Sequence, residues 1–267
     1  MIPCLRTTHS LNVSKHMTKP TCRLCKKEKD LIKKSHIMSE FLHKDLFDEN
    51  HKLISFEPIE LLKTNPRISR PSSGSYEGGL LCKECDNEVI GKYETYASKL
   101  LNGKLSKKEK IRCNFAKSID GINLLELSDL NYSSLKLFLL SLLWRAHISS
   151  RDEYRDVALG PYADKIGKAL LDENPGADND IIITITKLDP TAGFSTFIGQ
   201  PIRHKVEQTT QYSIIINGYI VVYYLKENRL SKRINHQKLT EDGTLTIMEI
   251  PKDKVSPFVM KYVGVAK

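Results

Sequence analysis

Four cysteines fall into two Cys-x-x-Cys pairs, Cys22/Cys25 and Cys82/Cys85. Two thiolates at that spacing can bind one tetrahedral Zn²⁺ from a single turn, and two such pairs complete a structural Cys4 site. Unrelated free thiols seldom fall into two pairs of this kind, so one Zn²⁺ per chain is expected. Cys4 and Cys113 have no paired neighbour. Cys4 reads as an incidental surface thiol and Cys113 as a core residue. Between the pairs lies Lys34-Ser35-His36-Ile37-Met38, with one imidazole in a short basic segment.

These residues need elements to hold them. After CRLC, a charged turn leads into the strand LIKKSHIM and then into SEFLHKDLF. Ser39 and Glu40 before the apolar set Phe41, Leu42, Leu46 and Phe47 predict a short helix, with His43 on its surface. Residues 64–79 are rich in Pro, Ser and Gly and predict a loop or hairpin connection. Asp86 is placed to cap a helix whose stripe is Val89, Ile90, Tyr93, Ala97, Leu100 and Leu101, with Gly103 ending it. KLSKKEKIR then reads as a basic, solvated link.

Tyr132 opens a helix of roughly four turns through His147, apolar on most sides and therefore central. Its core, Leu135–Ala146, is too short to span a bilayer and carries Lys136 and Arg145. PYADKIGKALLDENPG predicts another helix. Ile181–Leu188, two β runs joined by Asn217-Gly218, and Thr244–Ile250 predict strands, and Asn-Gly is a strong hairpin signal. Helices followed by hairpin-linked strands give an α+β class with an antiparallel sheet.

The chain has 267 residues, with 41 Lys and Arg against 32 Asp and Glu, a formal net charge of +9. Residues 1–112 hold 22 basic and 14 acidic side chains, and residues 113–267 hold 19 and 18. The excess therefore belongs to the cysteine-bearing part. The division predicted is a mobile leader 1–20, a zinc-finger domain 21–112, and an α+β recognition or regulatory domain 113–267. Met1 and Met17 are both candidate starts. A hydrophobic fraction of 40% and mean hydropathy of −0.34 exclude a disordered or membrane class. The first twenty residues lack a signal-peptide core, so a reducing cytoplasm is expected, where close thiol pairs hold metal.

Lys26, Lys27, Lys33 and Lys34 crowd the first knuckle, Arg67 and Arg70 lie in the loop, and Lys107 and Lys108 follow the second knuckle. On one face they would bind phosphate; the plain alternative is a solvated charged surface. The second unit has no phosphate-binding Gly loop, Ser/His/Asp signature or Rossmann fingerprint. It reads as a module for a ligand, a partner protein or a second copy of the chain.

With CRLC, SHIMS and LLCKECDN in place, roughly residues 20–103 resemble the zinc-containing HNH (His-Me finger) endonucleases. Those are treble clefs in which a Cys-x-x-Cys pair precedes an Asp/His-His-Ile-x-Pro strand, and a second pair opens a helix through Cys-Asn. The pattern, with LKLFLLSLLWRAHIS after it, is also similar to that of uncharacterised bacterial proteins. The resemblance implies that His36 is the general base toward the water that attacks a phosphodiester. A neutral imidazole with a pKa near 6.5 suits that step.

It also implies a catalytic Mg²⁺ or Mn²⁺. Ser35 stands where the family has a ligating Asp or His, and Ser39 where it has Pro; serine brings no charge to a hard cation. The remaining ligand would come from Asp86, Asn87, Glu88 or Glu94. Two readings stay open. One is a nucleic-acid-binding protein, DNA foremost, that cleaves with His36 in a bacterial defence or mobile-element system. The other is a non-catalytic zinc finger for DNA, RNA or protein with the second unit as sensor, in which His36 only braces the fold. A purely structural interaction protein is a third class.

Overall fold

The computed structural model describes residues 19–56, 60, 63–65, 67–206, 209–225 and 232–262. Met1, Cys4, Met17 and nearly all of the leader lie outside the described residues. The first knuckle, Cys22–Cys25, is followed by β1 (Ser35–His36), which pairs antiparallel with β2 (Tyr76–Glu77). A 3-10 turn, Glu40–Leu46, fills the place of the short helix predicted there. The second knuckle winds directly into a π-helical stretch, Glu84–Ile90, and then α1 (Gly91–Leu101).

Asp86 is therefore inside this helix rather than its cap. The helical path starts at the knuckle, where the Asp86 N–H already donates to Cys82 O at 3.0 Å. Gly103, at φ +62°, follows the last turn, a left-handed position that favours glycine.

The other elements are β3 (Arg112–Lys117), β4 (Asn123–Ser128), α2 (Tyr132–Ile148), α3 (Tyr162–Leu171), β5 (Ile182–Leu188), β6 (Ile202–Val206), β7 (Thr209–Ile216), β8 (Tyr219–Tyr224), α4 (Lys232–Gln237), β9 (Leu245–Ile250) and α5 (Lys252–Tyr262). The mixed helix and sheet content agrees with the α+β class. The large sheet runs β3-β4-β9-β5-β8-β7-β6. It departs from the antiparallel expectation at one place: β5 and β9 pair parallel, Thr186 facing Met248. The chain passes from β8 through α4 before β9 returns, a connection long enough to deliver a parallel partner. The basic stretch before residue 113 also ends in a strand rather than a free link. β3 and β4 form a hairpin at the sheet edge, turning at Asp120-Gly121. Cys113 lies on that edge strand and is exposed, not core.

α2 occupies the centre. From Leu135 to Ala146 every residue is buried, including Lys136 and Arg145. Tyr223 of β8 donates its hydroxyl to Leu139 O at 2.9 Å, and Trp144 donates Nε1–H to Ala163 O at 3.0 Å in α3. These bonds fix the helix against the sheet on one side and α3 on the other. One apolar core runs without a break from the knuckles through α1 and α2 to the sheet. Each large aliphatic side chain in it is worth roughly 1.5–3 kcal/mol of burial. The Asn217-Gly218 turn joins β7 and β8 as expected, with φ +48° and +83°. Asn217 Nδ2 donates to Leu42 O at 3.0 Å, so the hairpin tip supports the 40–46 turn. No helix among the described residues is long and apolar enough to cross a membrane.

Candidate metal centre and the His36 network

The two knuckles meet. One sulfur from each of Cys22, Cys25, Cys82 and Cys85 lies within 4.8 Å of the other three. Cys25 Sγ and Cys82 Sγ are 4.0 Å apart. In an ideal tetrahedron with metal–sulfur bonds of 2.3 Å, sulfurs sit about 3.8 Å from one another. The donor set and its spacing suit Zn²⁺. Burial pushes the Cys85 and Cys82 thiols up, Cys82 to about 11. Burial also acts to raise Cys22, but backbone N–H donors from Cys82, Cys25 and Leu24 outweigh it and hold that thiol at about 7. The Cys82 N–H points at Cys22 Sγ at 3.4 Å, a contact that steadies a thiolate. Four clustered thiols, three of them buried, can ionise together only beside a cation.

β1 and the 40–46 turn bring a second polar group against α1. Ser35, 1% exposed, donates its hydroxyl to Asp86 Oδ1 at 2.6 Å. Ser39, fully buried, donates to Glu94 Oε1 at 2.6 Å. Arg145 reaches in from α2. Its Nη2 donates to Ser39 Oγ at 2.9 Å and pairs with Glu94 Oε1 at 2.8 Å, while Nη1 donates to His36 O at 2.8 Å. Burial pushes the Asp86 carboxyl up, opposed by the Ser35 bond and the Arg145 charge.

Of the four candidate cation ligands, Asp86 and Glu94 thus join the centre. Asn87 and Glu88 are exposed on the same turn. The two serines that stand in the resemblance's ligand and proline positions hold those two carboxylates. Arg145 was not singled out by sequence reasoning. Its signal was a charge in an otherwise apolar helix, which burial must pair.

The His36 ring points away from Arg145. Nε2 lies 3.4 Å from Ser73 Oγ, Nδ1 lies 3.8 Å from Glu40 Oε2, and the ring meets Tyr76 edge-on at 6.2 Å. Burial lowers its pKa, with the Lys34 and Arg145 charges adding and Glu40 opposing, so it is neutral at pH 7. His43 corrects the surface expectation: it is 6% exposed, with Nδ1 3.3 Å from Ser39 O. The 3-10 turn rolls it inward because its own backbone is held down by Asn217.

All eight basic candidates, Lys26, Lys27, Lys33, Lys34, Arg67, Arg70, Lys107 and Lys108, are exposed. Arg70 pairs with Asp48 at 3.2 Å. The other seven make no ion pair among the described residues, and Lys34 Nζ sits 4.9 Å above the Tyr76 ring. No family model, curated protein or solved structure matches the chain.

Proposed function

We propose that this chain is a zinc-stapled, HNH-like nucleic-acid-binding protein whose His36 centre binds without cutting. The cysteine cluster supplies the staple and fixes β1 beside the second knuckle. Lys33 and Lys34, beside β1, make no ion pair among the described residues, and Tyr76 offers an exposed ring beside Lys34 and His36. That combination suits a phosphate backbone and an adjacent base or sugar face.

The observation that carries the choice of binding over cutting is Arg145. An HNH-type cleaving centre needs a hard divalent cation on carboxylate or imidazole ligands. Here a buried guanidinium already neutralises Glu94, and Ser35 occupies one oxygen of Asp86. A cation would have to share these groups with a fixed positive charge, a strongly unfavourable arrangement at low dielectric.

Cleavage is the second reading, favoured because burial holds the His36 pKa below its usual 6.5, toward the neutral form that accepts a proton. Gel-shift and nicking assays on plasmid and single-stranded DNA, with Mg²⁺ or Mn²⁺, separate the two. The expected result is a shift that weakens steeply with salt, and no nicking. Nicking that disappears in His36→Ala reverses the choice. No shift at any salt removes nucleic acid from the proposal.

A further inference from the structure

A cavity of about 690 Å³ lies between residues 53–56 and 67–75 on one side and the β6–β7 side of the sheet on the other. Ligand pockets run from about 300 to 1,000 Å³, so a nucleotide fits within it. One wall is apolar, formed by Phe56 and Phe197, whose ring centroids lie 6.1 Å apart with a 34° tilt, together with Ile198 and Ile215. Ser73, which meets His36 Nε2, and His43 make the wall nearest the His36 network.

His43 is the decisive group. The Ser39 carbonyl oxygen can only accept, so the proton sits on His43 Nδ1. Burial lowers the ring's pKa, and it is neutral at pH 7. Nε2 then keeps a lone pair, and the ring's backbone partners are the Ser39 and Glu40 carbonyls. Gly74 makes room for the ring, since a Cβ there would come within 2.4 Å of its Cε1. Arg67 also lines the cavity and is exposed. The neighbouring carboxylate, Glu60, pairs with Lys63 at 2.5 Å and accepts the Arg67 backbone N–H at 2.7 Å, and the Arg67 guanidinium makes no ion pair among the described residues.

We propose that this cavity binds one nucleotide, base inward. The base lies against the phenylalanine wall and gives an N–H to His43 Nε2, and the phosphate pairs with Arg67. Each part of that ligand answers a different wall. A bare anion makes no use of the aromatic surface, and an aliphatic molecule makes none of the imidazole lone pair or the arginine. The proposal deepens the nucleic-acid reading and rests on it: the nucleotide is either free or the unstacked base of a bound strand.

Calorimetric titration of the zinc-loaded full chain with 5′-AMP, adenosine and inorganic phosphate tests it. One AMP per chain is expected, with adenosine weaker and phosphate undetected. Phe197→Ala should weaken AMP about tenfold through lost stacking. Arg67→Ala, a surface change, should weaken AMP while leaving adenosine unchanged. A single-stranded 12-mer that competes with AMP identifies a strand as the source of the base; AMP binding unaltered by the 12-mer identifies a free nucleotide. No AMP binding at millimolar concentration overturns the pocket, as does phosphate binding as tightly as AMP. AMP binding that is indifferent to both variants does the same. If AMP fails while the plasmid shift persists, the pocket falls and the nucleic-acid reading stands.

Discussion

Two groups of metal-capable side chains flank the start of the helix that follows the second knuckle, and they handle charge in opposite ways. Cys22, Cys25, Cys82 and Cys85 converge within 4.8 Å, and the nearby Lys29 is itself paired with Glu84 at 3.1 Å. Burial pushes two of these thiols up, so the cluster is stable as thiolates only around a cation. Asp86 and Glu94, a few residues on, also converge, but Ser35, Ser39 and the Arg145 guanidinium already meet them. Proximity of ligand types is thus a poor guide to a metal site. Whether the donors' charge is already balanced is the better one.

The largest effect should come from the cysteine side. Chelation, or Cys85→Ser, should unfold the N-terminal unit, because structural zinc supplies an apparent ~10–16 kcal/mol in small zinc domains. Circular dichroism with elemental analysis checks this; full helicity and no zinc in chelator would break the comparison at its first member.

Next is Arg145→Met, expected to cost about 3–5 kcal/mol in urea denaturation by leaving Glu94 and the Ser39 hydroxyl without their buried partner. A cost near zero would mean that the carboxylates are not balanced by Arg145.

Acid should act through the two histidines that face this network. His36 and His43 have folded pKa values below 6.5, so under acid the unfolded chain takes up protons first. Their stabilising contribution is present above about pH 6.5 and is lost as pH falls through that value toward the folded pKa values. Urea midpoints at several pH values read it, and His43→Gln should flatten the curve.

Lys136 gives the basic-side counterpart. Burial lowers it to about 8, against the charges of Asp180, Asp178 and Glu241, and its Nζ meets only Tyr132 Oη and Ala177 O at 2.9 and 2.7 Å. Between pH 8 and 10.5 the unfolded chain holds the extra proton, so stability should rise with pH across that window, and Lys136→Met should abolish the rise. The smallest expected change is Ser35→Ala, about 1 kcal/mol for the single hydrogen bond to Asp86.

What could be read in advance divides along sequence distance. The cysteine pairs, the Asn217-Gly218 hairpin and the central helix are local patterns, and local patterns carry their own geometry. The parallel β5–β9 contact is not local, and neither is Arg145, whose partners at 36, 39 and 94 lie far back in the chain. Asp86 lies inside the helix and not at its cap because the knuckle winds straight into the helix and supplies the first turn itself. Cys113 gives no local sign of its exposure, because its strand's place at the sheet edge depends on β4, β9 and everything that orders them. Arg145 and Lys136 did leave a trace: two cations in the apolar run from Leu135 to Ala146 must each find a partner, although the sequence does not say which.

One cation is expected at the four cysteines and none at the His36 centre. Titrating Mn²⁺ into the zinc-loaded chain and counting free Mn²⁺ by electron paramagnetic resonance tests it most directly. The expected result is no manganese bound at tens of micromolar, in wild type and Asp86→Asn alike. One manganese per chain, lost in Asp86→Asn, would contradict it and return the His36 centre to the cleaving reading.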